Sequence, residues 1–169
     1  HSNGEDYTDS IMELIQHFNV KRYCRVGAMY DAVPHTRPLL VTGTLGDVKQ
    51  IKPVANFRVR RSNYQGPTTI MNLLSEGVDG SEIESINFMV HLPQYVQLEE
   101  DYAGASRMIE VLSSVYEGIP SDLAPVRRGQ RQYRELSATI ERNTELKELI
   151  QQMEAHYDAQ LDSEDGKTE

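Results

Sequence analysis

The chain has 169 residues, 38% of them apolar and 25% charged, which suits one ordinary globular domain able to bury a core without a staple. Its formal net charge of −9 lacks the Lys/Arg excess that general nucleic-acid binding or docking on an anionic membrane needs. No apolar run approaches the ~20 residues of a membrane span, and the single Cys24 allows neither an intramolecular disulfide nor a cysteine-based zinc site. These features predict a reducing, cytoplasmic setting. The opening His1-Ser2-Asn3-Gly4 lacks a Met and reads as a tag remnant or a point inside a longer chain.

Ser10 and Glu13 have the spacing of a capping box, and Ile11, Leu14, Ile15 and Phe18 repeat at helical spacing, predicting a helix over 9–18 that Asn19 closes in the left-handed conformation. Val20 to Met29 reads as a strand buried on at least one face. Cys24 lies within it as a small core residue rather than a nucleophile. Pro34 and Pro38 bracket a loop. Leu39-Leu40-Val41-Thr42 is a short buried strand, and Phe57-Arg58-Val59-Arg60 alternates like an exposed one.

Gly66-Pro67 suits a helix entry, with Ile70, Leu73 and Leu74 as its apolar stripe and a stop near Gly77. Ile86-Asn87-Phe88-Met89-Val90 is the clearest further strand. Ala105, Met108, Ile109, Leu112, Val115 and Tyr116 define an amphipathic helix over 101–117, closed by Gly118 and Pro120. Two thin apolar stripes follow: Tyr133, Leu136 and Ile140, then Leu146, Leu149, Ile150, Met153 and Tyr157. They fall out of phase near Arg142-Asn143, so two helices are expected, with Asn143 as the N-cap of the second.

Alternating strands and helices predict an α/β fold, a mostly parallel sheet flanked by helices, with a C-terminal helical hairpin. The expected division is a core over 1–124, a helical segment over 125–160 and a disordered acidic tail over 161–169. The strands are few for such a sheet, so further strands are expected upstream or from elsewhere.

Three stretches could carry chemistry. Ala32-Val33-Pro34-His35-Thr36-Arg37-Pro38 lies past the C-terminal end of a strand, where open parallel sheets bind ligands. His35 would carry a proton and Arg37 would clamp a carboxylate or phosphate. The plainer reading is a rigid connection in which His35 bonds backbone and Arg37 pairs with a carboxylate. Tyr64-Gln65-Gly66-Pro67-Thr68-Thr69 offers a helix start beside two hydroxyls, an anion site or simply a cap. His91-Leu92-Pro93-Gln94-Tyr95 again follows a strand, with His91 as ligand group or as hydrogen-bonded structural histidine. The candidate anion- or ligand-binding residues are therefore His35, Thr36, Arg37, Thr68, Thr69 and His91. No cofactor fingerprint and no metal-ligand spacing are present.

Taken in order, Ala32 to Pro38, Gly66 to Thr68 and His91 to Tyr95, with the amphipathic helix and the paired acidic helices ending near Tyr157, resemble the proteasome assembly chaperone 2 family over about residues 6–158, in its prokaryotic branch. The resemblance implies a fold akin to nucleoside phosphorylases, oligomerisation, and a strand-rich segment with a glycine-rich turn that precedes this stretch in the family. It also implies an association with proteasome assembly. Some bacterial members carry a label linking them to ATP-grasp ligases. Such chaperones can dock through a hydrophobic-Tyr-x tail, whereas this chain ends Gly166-Lys167-Thr168-Glu169.

Two functions are thus expected. One is a non-enzymatic interaction or assembly protein, a closed homo-oligomer such as a trimer with proteasome-like subunits as further partners, and no nucleic acid or membrane. The other is a phosphorylase-like or ATP-grasp-type binder or enzyme for an anion or nucleotide. There His35 is the acid or base, Arg37 the clamp and Thr68 the cradle.

Overall fold

A computed structural model describes residues 4–45, 57–59, 70–78, 81–119 and 123–165. Helix α1 (Gly4–His17) begins ahead of the expected capping box. Ser10 lies inside it, its hydroxyl donating to the Asp6 carbonyl at 2.8 Å, so that box does not form. The end is as read: Asn19 has φ +49°, the Val20 N–H reaches the Ile15 carbonyl and the Asn19 N–H reaches the Gln16 carbonyl, both at 3.0 Å. This is a Schellman closure.

The strands are β1 (Arg22–Asp31), β2 (Val41–Leu45), β3 (Phe57–Val59) and β4 (Glu84–Pro93), in the sheet order β1-β4-β2-β3. β1 and β4 are parallel. Arg22 pairs with Glu84, Arg25 with Asn87, and the Gln94 N–H reaches the Asp31 carbonyl, so partners advance together along both strands. β2 runs against β4, since His91 N–H bonds the Leu40 carbonyl while Gly43 lies against Asn87 and Phe88. The sheet is therefore mixed rather than mostly parallel. The loop from β1 to β2 is too short for the crossover that a parallel return requires, so β2 must run back.

By compactness the described residues form two units. The first holds residues 4–26, 43–45, 59, 70–78 and 81–88. In it α1 packs on helix α2 (Ile70–Val78), with Ile15, Leu74, Val78, Ile86 and Phe88 buried. The second holds residues 27–42, 57–58, 89–119 and 123–165. Helix α3 (Tyr102–Val115) lies against β4, where Leu92 fills the space beside Gly104. It packs on helix α4 (Leu123–Ile140), which in turn contacts helix α5 (Thr144–Asp165).

Two caps fix these helices: Asp101 Oδ1 accepts the Gly104 N–H at 2.7 Å, and Asn143 Oδ1 accepts the Leu146 N–H at 3.1 Å. The break at Asn143 matches the change of phase between the two stripes. α5 continues through Asp165, past the start of the tail expected over 161–169; residues 166–169 of that tail lie outside the described residues. Cys24 is only half-buried in β1. Among the described residues no helix is long and apolar enough to cross a membrane.

Candidate functional site

The loop that follows β1 is held from several sides by its own chain. Val33, Pro34 and His35 are buried. Tyr95 Oη accepts the His35 N–H at 2.8 Å and lies 2.7 Å from His35 Nδ1, while Nε2 lies 2.9 Å from Ser137 Oγ. Ser137 Oγ donates to the Tyr133 carbonyl at 2.9 Å. One assignment satisfies every group: Tyr95 O–H donates to Nδ1 and Nε2–H donates to Ser137. The rings of Tyr95 and Tyr133 meet the imidazole edge-on at 5.8 and 5.9 Å.

Burial dominates the electrostatics. It lowers the pKa of His35 below its ordinary value, against an opposing pull from Glu154. It pushes Tyr95 up to about 12, with the His35 N–H bond working the other way and Glu154 adding to the rise. It raises Tyr133 as well, helped by the Asp101 carboxylate, whose Oδ2 accepts the Tyr133 O–H at 2.8 Å. Asp101 thus serves the α3 cap with one oxygen and Tyr133 with the other.

Arg37 turns toward α5. Its Nε and Nη2 donate to the two oxygens of Asp158 at 2.9 and 2.8 Å, and its Nη1 reaches Glu154 at 3.3 Å. The hydrogen bond to Arg37 holds the Asp158 carboxyl below the usual range. Thr36 Oγ1 donates to the same Glu154 oxygen, and Tyr157 Oη donates to the Pro38 carbonyl at 2.7 Å. Glu154 and, one turn on, Tyr157 and Asp158 of α5 therefore clasp three consecutive loop residues.

His91 stands apart from this network. It lies 2.7 Å from Asp31 Oδ2 through Nδ1 and 2.8 Å from Thr42 Oγ1 through Nε2. Carboxylate, imidazole and hydroxyl have the connectivity of an activated nucleophile. Here the three come from β1, β4 and β2, and Asp31 also accepts the Ala32 N–H at 2.7 Å, so the row ties the strand ends together. The clefts beside the loop open on His35 and do not include His91 or Thr42. Thr68 and Thr69 lie outside the described residues.

A cleft of about 480 Å³ lies beside the clasped loop, bordered by His35, Arg37, Leu39, Arg107, Gly129 and Tyr133. Arg107 is 8% exposed. Its Nε donates to the Leu39 carbonyl at 3.0 Å and its Nη1 pairs with Glu110 at 2.5 Å. Sequence reasoning missed Arg107, and also the parts played by Tyr95, Ser137 and the α5 carboxylates. A signal for Arg107 existed: Gly104, Arg107 and Val111 share the buried line of α3, so a charge stands where apolar residues belong. Among the described residues, no cluster of three His, Cys, Asp or Glu side chains could hold a metal ion.

A mixed α/β sheet whose strand-end loop is clasped by C-terminal helices defines the structural class. The chain belongs to the PAC2 family, whose model matches residues 1–141. Among solved structures it is similar to a Corynebacterium glutamicum protein of unknown function, at 22% identity and TM-score 0.82, covering 95% of this chain and 58% of that one. A Mycobacterium tuberculosis protein of unknown function aligns at 22% identity and TM-score 0.82, covering 98% of this chain and 55% of that one. A Mycobacterium tuberculosis proteasome-assembly chaperone homologue aligns at 23% identity and TM-score 0.71, covering 87% and 61%. The chain spans less than two thirds of each of these structures. No curated protein sequence matches it.

Proposed function

We propose that this chain is a non-enzymatic interaction protein that self-associates and escorts proteasome-type subunits during their assembly. The observation that carries this reading is the clasp. Thr36 and Arg37 are bound by α5, and His35 by Tyr95 and Ser137. Groups committed to the fold in this way serve to shape a surface, whereas proton transfer needs a group within reach of a substrate. Membership of the PAC2 family and the likeness to a proteasome-assembly chaperone homologue point the same way. The test is to mix the purified chain with proteasome-type α and β subunits and follow co-elution and the rate of ring formation. Faster assembly with a co-eluting complex supports the role; no complex at micromolar concentrations overturns it.

A second reading is favoured by one feature, the cleft bordered by the nearly buried Arg107. Glu110, which pairs with Arg107, is 57% exposed and free to swing away, so a ligand carboxylate or phosphate could take its place. A thermal-shift panel of phosphate, nucleotides and small carboxylates tests it. A ligand at about 100 times its dissociation constant stabilises by roughly 2.7 kcal/mol. A shift abolished by Arg107→Gln would put this reading first, and no shift with any of them would remove it.

A further inference from the structure

Helix α1 carries more apolar surface than its own unit covers. Ile15 is buried and Met12 lies against Gly77 of α2. Roughly a quarter turn round the helix runs a second apolar line: Tyr7, Ile11, Leu14 and Phe18. Tyr7 and Leu14 are each 52% exposed and Phe18 70%, while Ile11 is half-buried at the border between the two lines. The spacing alternates four, three and four residues, the rhythm of a coiled-coil seam. Large apolar side chains gathered in one line mark an interaction surface, unlike the single exposed residues any protein carries.

The line is self-complementary. Laid antiparallel on a second copy about a two-fold axis near Met12 and Glu13, Tyr7 meets the partner's Phe18, and Ile11 meets the partner's Leu14. Each contact then occurs twice, as a closed isologous interface requires. The charges agree. The first turn of α1 carries Glu5 and Asp6, its last turn carries His17, and Lys21 follows. Antiparallel packing sets the acidic end of one helix beside the basic end of the other and opposes the two helix dipoles. Glu13 points to the far face, so no like charges meet at the axis.

We infer that the Tyr7–Ile11–Leu14–Phe18 line of α1 is a homodimer interface, occupied by α1 of a second copy in antiparallel orientation. This rests on the self-association proposed above and names the surface that would produce it.

Sedimentation and light scattering on the full chain, from about 1 to 100 µM, test the inference with Leu14→Glu and Phe18→Glu alongside. The expected result is a wild-type dimer whose dissociation constant rises at least ~100-fold in each variant, since every substitution enters the interface twice. Circular dichroism should be unchanged, because both side chains are exposed in the single copy. As a second measurement, oxidising Tyr7→Cys/Phe18→Cys in a Cys24→Ser background should give a covalent dimer. Tyr7→Cys alone should not, because its two copies would lie about 16 Å apart along the helix axis. An oligomer that survives both glutamate variants, or a failure of the paired cysteines to cross-link, overturns the α1 surface and leaves self-association standing. A monomer throughout the concentration range overturns both.

Discussion

Arg37 and Asp158 meet side on, with Nε on Oδ1 at 2.9 Å and Nη2 on Oδ2 at 2.8 Å, joining the loop after β1 to the last helix. Arg37→Lys keeps the charge and loses the fork. Hydrogen exchange should then quicken by a factor of a few over the C-terminal half of α5 and over residues 34–38, and more in Arg37→Ala. The pair is partly exposed, so added salt should narrow the gap between wild type and variant. Because Arg37 lowers the Asp158 pKa, the pair's support is complete above the ordinary carboxylate value of 3.8 and fades as pH falls through the lowered one. Unchanged exchange in Arg37→Ala would show that the clasp does not hold α5.

His35 supplies a second pH dependence. Its folded pKa lies below the ordinary 6.5, so the unfolded chain binds more protons as the solution is acidified. Stability from the neutral ring is present above about pH 6.5 and falls as pH drops below it. In His35→Gln that part of the decline should vanish. Melting curves between pH 7.5 and 5.5 decide this, and parallel profiles for both proteins would refute the buried neutral ring.

Tyr95 and Ser137 act on opposite sides of the same imidazole. Tyr95→Phe leaves the His35 N–H and Nδ1 without partners, which should cost about 1–3 kcal/mol. Ser137→Ala removes the acceptor for Nε2–H. The double variant should depart from additivity by at least about 0.5 kcal/mol, since both changes strand one ring. Denaturant unfolding of the four proteins measures this, and strict additivity would mean the two hydroxyls serve His35 independently.

Gly129 sits where α4 crosses α3. A Cβ there would come 2.7 Å from the backbone N and Cα of Ala103. Alanine is favoured over glycine in a helix by about 1 kcal/mol, yet Gly129→Ala should lower stability by about 1–3 kcal/mol, because backbone cannot step aside. Gly77→Ala is the contrast. Its Cβ would meet the Met12 side chain, with Sδ nearest at 3.2 Å, and a methionine can turn away. That variant should be neutral or stabilising. A Gly129→Ala protein as stable as wild type would mean that α3 and α4 can part at no cost.

Local signals carried far along this sequence. The Asn19 closure, the Asn143 cap and the helix α3 each depend on residues within one or two turns, and each formed close to where it was read, although the buried line of α3 is Gly104, Arg107 and Val111 and not the stripe through Ala105, Met108, Ile109 and Leu112. Strand order did not have that property. It depends on which strand lies between β1 and β2, and the intervening β4 comes later in the chain. The Ser10 box failed because a residue with capping chemistry also fits inside a helix by bonding the carbonyl one turn back.

The candidate site was legible by address only. His35, Thr36 and Arg37 do gather past a strand end, but their partners are Tyr95, Ser137, Glu154 and Asp158, which no spacing rule links to the loop. His91 has its own partners in Asp31 and Thr42. Sequence distance hides such pairings, because any of several carboxylates on the acidic helices could have answered Arg37.

The place of β4 also governs how the chain can fold. Arg22 and Glu84 are 62 residues apart, and Thr42 and His91 are 49 apart. β1 and β2, consecutive in the chain, are not sheet neighbours of each other, although β2 does lie beside the next strand, β3. Both must wait for β4, so the entropy of closing a long loop is spent before any of these ladder bonds forms. During synthesis β1 and β2 gain the neighbour they share only once Pro93 has cleared the ribosome.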